Sequence, residues 1–178
     1  GGDQYSIETI SSHGEHFTVA IVQENLSGAP YFMERMDVIN AEINKRLFNA
    51  VQKFITQLLN SLNVQFGPCH IEVKIDEKKQ LRLIEVASRS GLLRDRLVRT
   101  AKGSEYNDLI LKSYSGEKLT QPALPETNGM LGIIVYPEDM DAYKRSKEDL
   151  ILFDAHLNGF EMAEKPSMLT DAVGYYFI

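Results

Sequence analysis

The sequence predicts an α+β fold: a largely antiparallel sheet with helices packed on one face, and a small β-rich subdomain after it. Three observations carry this. Two pairs of alternating segments are each joined by a short polar turn, at 13–15 and at 76–80. Between them lies one long stretch whose apolar residues recur at helical spacing. A Pro/Gly-bearing tract at 120–129 then separates a second group of short strands.

Residues 4–12 and 16–23 are rich in β-branched and aromatic side chains, and His13-Gly14-Glu15 between them predicts an antiparallel hairpin. Asn25 to Pro30 reads as a loop, and 31–37 as a short strand running into irregular chain. Over 41–63, Ile43, Leu47, Phe48, Val51, Phe54, Ile55, Leu58, Leu59 and Leu62 fall within an arc of roughly 160° at about 100° per residue. That stripe predicts a helix lying on the sheet. Gly67-Pro68 ends it, and strands follow at 69–76 and 81–88. A second helix is expected over 92–102, stopped by Gly103 as its C′ residue. Ser104 is the candidate cap of a third, which runs to Ser115 before Gly116. Beyond 129 the pattern gives a strand at 131–136, a short helix after Pro137, and strands near 149–156, 160–164 and 172–178. The expected division is 1–119 and 120–178.

Composition narrows the function. Lys and Arg number 19 against 25 Asp and Glu, and no basic block exceeds Lys78-Lys79, so the concentrated positive face that nucleic-acid binding needs is missing. No apolar run approaches the roughly 18–20 residues that cross a bilayer, which predicts no membrane partner. The single cysteine, Cys69, excludes an internal disulfide and fits a reducing, cytoplasmic setting. Alternation turns Cys69 toward the apolar side, as a buried and inert thiol. Gly1-Gly2-Asp3 reads as an expression remnant or a piece of linker, and the Gly-Tyr-Tyr-Phe-Ile ending suggests that the natural protein continues.

The hairpin around 76–80 holds the chemistry. With a four-residue loop, Asp76 faces Leu81, which sets Glu72 opposite Glu85 and His70 opposite Ala87. Opposed residues of an antiparallel pair share a face, with Cβ atoms about 4.5–5.5 Å apart. Ile71, Val73 and Ile75, with Arg82, Ile84 and Val86, then form the face that covers the helix. Two opposed carboxylates repel unless a shared proton, a basic neighbour or a cation neutralises them. Mg²⁺ binds through one or two carboxylates plus substrate phosphates. Arg89, four residues past Glu85, stays on that side if the strand continues, where a guanidinium suits phosphate or acyl-phosphate oxygens. A plain surface ladder, with Lys74 screening Glu72 and pairing diagonally with Glu85, is the alternative. Asp154, His156, Glu161 and Asp171 match no metal-ligand spacing and read as ordinary surface groups.

Gly67-Pro68-Cys69-His70-Ile71-Glu72-Val73, followed by Leu83-Ile84-Glu85-Val86-Ala87-Ser88-Arg89-Ser90-Gly91, resembles the metal-site hairpin of the ATP-grasp superfamily. Tyr5-Ser6-Ile7-Glu8-Thr9 through Gly14 is similar to the strand that follows the adenine hinge in the same enzymes, and the likeness spans about 1–115. Within the superfamily the chain looks most like the L-amino acid ligases and the carbamoyl-phosphate-synthase-like proteins. The resemblance implies an ATP- and Mg²⁺- (or Mn²⁺-) dependent carboxylate–amine ligase working through an acyl-phosphate. It implies Glu72 and Glu85 as metal and ATP-phosphate ligands, and Arg89 as the catalytic cation on the transferring phosphoryl group. It implies Glu34 and His70 on the side of the carboxylate and amine substrates. It also implies partner lobes of the same protein, N-terminal to this chain, that would carry the lysines and adenine hinge, so that the fragment alone is inactive. Three residues depart from the pattern. Asp37 stands where a Glu-x-x-His segment has His, Ala87 where many members have a metal-binding Asn, and Ser88 where Pro is usual. A non-catalytic module that kept the fold is the second reading, and homo-oligomerisation stays open.

Overall fold

The computed structural model describes residues 2–78, 80–149, 155–157 and 162–178. The chain is α+β and falls into two compact units, Gly1–Gln23 with Ile39–Asn128 and Glu24–Val38 with Gly129–Ile178.

In the first unit, β1 (Asp3–Ser12) and β2 (Glu15–Leu26, whose last residues belong to the second unit) are joined through His13 and Gly14. Both turn residues have positive φ, 51° and 75°. A two-residue turn of that sign matches the right-handed twist of paired strands, so the chain reverses without splaying them. With β4 (Gly67–Ile75) and β5 (Leu81–Ala87) these strands lie in the order β5-β4-β1-β2, and β4 is antiparallel to both its neighbours.

Helix α1 (Lys45–Ser61) starts at Asn44, whose side chain accepts a hydrogen bond of 2.9 Å from the Leu47 amide. It ends at Asn63, which takes the left-handed conformation (φ 55°), while Val64 N–H reaches back to Leu59 O at 3.0 Å. Asparagine tolerates that position because its short polar side chain offsets part of the Cβ penalty. The predicted stripe is the buried one: Leu47, Val51, Ile55 and Leu59 pack with Ile7, Cys69, Ile71, Val73 and Ile75, and Ile43, Phe48, Phe54 and Leu58 flank them. Leu62 differs, since it is the C-cap residue and is 53% exposed.

Two shorter helices follow, α2 (Arg94–Thr100) and α3 (Tyr106–Tyr114). Gly103 is not the left-handed residue after α2; Lys102 is, with φ 53°, and Gly103 N–H bonds Val98 O at 2.9 Å. Gly103 serves packing instead, because a Cβ there would lie 2.6 Å from a Val98 methyl. Nor does Ser104 cap α3. Its hydroxyl donates to Ala123 O at 2.9 Å, and Glu105 occupies the cap position. Gly116 does end α3 as predicted, at φ 82°. Tyr106, fully buried, donates its hydroxyl to Thr9 O at 2.9 Å, which ties α3 to β1.

The second unit contains β3 (Glu34–Ile39), β6 (Gly129–Ile134), α4 (Pro137–Asp149), β7 (Ala155–Leu157) and β8 (Gly174–Phe177), with the strand order β3-β6-β8-β7. Ile39 itself is counted with the first unit. Asp139 accepts from the amides of Val135 and Tyr136 at 3.2 and 2.8 Å, capping α4, and also receives Arg35 Nε at 2.9 Å. Ile134, Tyr143, Val173 and Tyr176 form the apolar centre. Of the strands expected near 149–156 and 160–164, residues 150–154 and 158–161 lie outside the described residues, and 162–164 are irregular. Asp154 and Glu161 lie outside them too, while Asp171 accepts from the amides of Ser167 and Met168 at 2.8 and 3.2 Å. No helix among the described residues is long and apolar enough to cross a membrane.

Because Ile55 is fully buried between α1 and the sheet, Ile55→Ala is expected to cost about 2–5 kcal/mol, read from denaturant unfolding, whereas Leu62→Ala should cost far less.

Candidate functional site

The β4–β5 register sets Glu72 opposite Glu85, Ile71 opposite Val86 and His70 opposite Ala87, as the sequence predicts. Nearer the turn it differs. Val73 pairs with Leu83, Lys74 with Arg82 and Ile75 with Leu81, because the register shifts after Glu72. Ile84 becomes the extra residue of a bulge, and the loop is 76–80 rather than 77–80. The shift moves Arg82 opposite Lys74, so those two cations do not sit against the helix face. A bulge absorbs one residue locally and leaves the pairing beyond it intact. The two acids therefore stay opposed.

Strand β5 ends at Ala87, so Arg89 is not carried by a continuing strand. It is exposed, and its Nη1 donates to Ser90 O at 3.0 Å. Glu85 is also exposed, while the Glu72 side chain is 22% exposed. The Glu72 carboxyl is held below its ordinary value, first by its contact with His70, and further by the positive charges of Arg94 and Arg89. The resulting face offers one half-buried and one open carboxylate beside an open guanidinium.

Beneath it lies a network that sequence reasoning missed. β1 pairs with β4 so that Ser6 stands opposite Glu72 and Glu8 opposite His70. Glu8 is fully buried, as is Arg94 to within 2%. Glu8 Oε1 lies 2.6 Å from His70 Nδ1 and 3.4 Å from Arg94 Nε, and Glu8 Oε2 accepts the Gly91 amide at 3.1 Å. Arg94 Nη2 also donates to Ser6 Oγ at 3.2 Å. On the other side of the ring, His70 Nε2 lies 3.5 Å from Glu72 Oε1, and Gln4 Nε2 donates to Glu72 Oε2 at 3.3 Å. Ile7 is in the α1 core and Glu8 is not, so α1 covers one face and Arg94 of α2 reaches the alternate one. The signal available in the sequence was an acid, Glu8, set among the apolar and hydroxyl residues that run from Tyr5 to Ser12. A buried acid there requires a buried cation, and Arg94 is that cation.

The charges act on one another. Burial alone would depress the His70 ring, but the carboxylates of Glu72 and Glu8 overcome this and raise it to about 9. Tyr106 is pushed well above the usual phenol range by burial and then by Glu8. Gly91 leaves no room for a side chain: a Cβ would stand 2.6 Å from His70 Nδ1 and 2.7 Å from Glu8 Oε1. His70 itself is only 4% exposed, with both ring nitrogens turned toward carboxylates of the chain.

In the second unit, carboxylate oxygens of Glu24, Glu34 and Asp37 lie within 4.8 Å of one another. Glu24 and Asp37 are buried and Glu34 is half-buried. Glu34 and Asp37, both singled out in the sequence, thus lie together, and Glu24, which was not, joins them.

A family model described as an ATP-grasp domain matches residues 1–92. The chain belongs to the ATP-grasp family. Solved structures agree on the fold. An L-amino acid ligase from Bacillus licheniformis superposes with a TM-score of 0.76 at 19% identity, covering 99% of this chain and 46% of that one. An N5-carboxyaminoimidazole synthase from Aspergillus clavatus, in complex with ADP and 5-aminoimidazole ribonucleotide, gives 0.70 at 14% identity, with 99% and 46% covered. The Staphylococcus aureus N5-carboxyaminoimidazole synthetase complexed with ADP gives 0.67 at 14%, with 99% and 45% covered. The ATP-grasp chain described here spans slightly less than half the length of these structures. Comparison with curated protein sequences finds no match.

Two outcomes follow from the buried network. The charged form of His70 is the one its neighbours favour, so its stabilising contribution is fully present below the ordinary histidine value of 6.5 and is lost as pH rises through about 9. An NMR titration should find the His70 ring changing charge near 9, with unfolding free energy falling over the same interval. Gly91→Ala should cost roughly 1–3 kcal/mol and shift the His70 ring resonances, because the new methyl must displace Glu8 or His70.

Proposed function

We propose that this chain supplies the cation- and phosphate-binding face of an ATP-dependent carboxylate–amine ligase, and that it works within a larger protein about twice its length, as its structural relatives suggest. The observation that carries the reading is the pairing of Glu72 with Glu85 at one register position of β4 and β5. Hard oxygen donors of this kind fit Mg²⁺ or Mn²⁺, which use one or two carboxylates and take their remaining ligands from phosphate and water. Glu72 is held in its ionised, ligating form, and Glu85 is open to solvent. The donor set fits the ion.

A divalent ion held by Glu72 and Glu85 would neutralise charge on the nucleotide phosphates. The chain's own residues do the rest. Arg89, exposed and donating to a neighbouring carbonyl, can turn its guanidinium onto a transferring phosphoryl group or an acyl-phosphate oxygen. Glu34 is assigned to the substrate side, within the Glu24–Glu34–Asp37 cluster. His70 acts on substrate only at one remove, since its ring is buried between Glu8 and Glu72. The reaction is transfer of the terminal phosphoryl group of ATP to a carboxylate, followed by attack of an amine and release of phosphate. The other proposed partners are the carboxylate and amine themselves and the lobes that complete the nucleotide clamp. A cytoplasmic location is part of the same proposal, supported by that chemistry's need for ATP.

One observation favours a second reading, a binding or regulatory module without turnover. Ala87 offers no ligand beside Glu85, so a second ion would find fewer donors. Phosphate release separates the two. The full-length protein, given ATP, Mg²⁺ and pairs of amino acids, should release phosphate only when a suitable carboxylate and amine are both present. Glu72→Gln and Glu85→Gln should each slow it on the order of 100-fold. Nucleotide binding without phosphate release for any pair would favour the module, and release that persists in both variants would remove Glu72 and Glu85 as the cation ligands.

A further inference from the structure

The buried group that reaches furthest toward the candidate site is Glu8. It makes no direct contact with solvent, and besides Tyr106, its polar neighbours include groups from α2 and β4. Arg94 and the Gly91 amide hold its two oxygens from the α2 side, and His70 Nδ1 takes Oε1 from β4. The imidazole is then fixed in direction, because one ring nitrogen is bound at 2.6 Å and the opposite nitrogen is aimed at Glu72 Oε1.

We propose that Glu8 is a positioning residue for the cation site, with Arg94 and Gly91 fixing Glu8, Glu8 fixing the His70 ring, and His70 setting the direction of the Glu72 carboxylate. This rests on the reading of Glu72 and Glu85 as cation ligands. The geometry distinguishes it from simple burial. A fully buried carboxylate needs only Arg94 to be neutralised, and the shorter contact goes instead to the imidazole, 2.6 Å against 3.4 Å. The Glu8–His70–Glu72 line crosses two strands at adjacent same-face positions, with Glu8 opposite His70 and Glu72 two residues on. Gly91 is fitted to the same junction, since any side chain there would collide with His70, Glu8 and Arg94 together. An orienting partner behind a ligand sets where its oxygens stand, and its loss commonly lowers metal affinity on the order of 10-fold to 100-fold.

The test uses this 178-residue chain with Mn²⁺ alone as the probe, followed by water-proton relaxation, and the His70 ring read by imidazole ¹⁵N NMR. The parent chain should bind Mn²⁺ and Glu72→Gln should abolish that binding. Glu8→Gln should stay folded, lose the ordered ring signature and weaken Mn²⁺ at least 10-fold. A folded Glu8→Gln chain with parental affinity, alongside a Glu72→Gln chain that no longer binds, would overturn the positioning role and leave the cation site standing. Failure of the parent to bind, or binding that Glu72→Gln leaves untouched, would overturn both. Should Glu8→Gln not fold, two substitutions at His70 decide the matter. His70→Gln can place an amide near the Nε2 position and keep the link to Glu72. His70→Asn can reach only the Nδ1 position, toward Glu8. Affinity retained in His70→Gln and lost in His70→Asn supports the relay, and equal affinities in the two overturn it.

Discussion

The structure turns on a carboxylate buried where β1 faces β4. An acid at the centre of a sheet is strongly unfavourable unless charge and hydrogen bonds meet it on every side. Glu8 is met by a guanidinium from α2, an imidazole from β4 and an amide from the turn before α2. Those partners come from two stretches, His70 and residues 91–94, both distant from Glu8 in sequence, so satisfying one acid brings β1, β4 and the start of α2 together. Breaking the set by removing one member would leave a buried charge without its counterpart, which typically costs more than the contact itself contributes. The network thereby acts as a specification of geometry more than as a source of net stability.

Much of the rest of the fold was legible from letters alone, and the parts that were not have a common cause. Alternation and helical spacing are local, and they sufficed for the His13-Gly14 hairpin, for the α1 stripe from Leu47 to Leu59, and for the opposition of Glu72 and Glu85. What failed was also local but degenerate. Gly103 looked like a helix stop because glycine accepts positive φ, yet Lys102 takes that conformation and the glycine is required by Val98. Ser104 looked like a cap, but its hydroxyl found Ala123 instead. The loop length at 76–80 could not reveal the bulge at Ile84, which moves Arg82 off the helix face where the unbulged register would have put it. Contacts across long separations were out of reach altogether. Nothing near Glu8 in sequence names Arg94, and nothing near Glu34 names Glu24.

The grouping of the chain shows the same limit. The Pro/Gly-bearing tract after 120 is a visible break, but residues 24–38 group with the chain beyond 129, an association that no composition shift announces. Within that second unit, Arg35 and Asp139 join β3 to the start of α4 while Asp139 also caps the helix. One aspartate thus closes the helix end and ties it to a strand more than 100 residues away in sequence. Such double use makes the segment legible only after folding.

The charge balance of the first unit bears on how the proposed face would stay open to a ligand. Glu8, His70, Arg94 and Glu72 supply two positive and two negative groups when the ring is protonated, so the buried set closes on itself. Glu85 lies outside that balance, exposed at the register position opposite Glu72. Glu72 is shared. Its contact with His70, at 3.5 Å, is longer than the roughly 2.7–3.2 Å of a full hydrogen bond, and its Gln4 contact, at 3.3 Å, is weak as well. Neither contact saturates the carboxylate. On the proposed reading, the ring orients Glu72 without consuming its lone pairs, and those lone pairs, with Glu85 opposite, are what an incoming cation would meet.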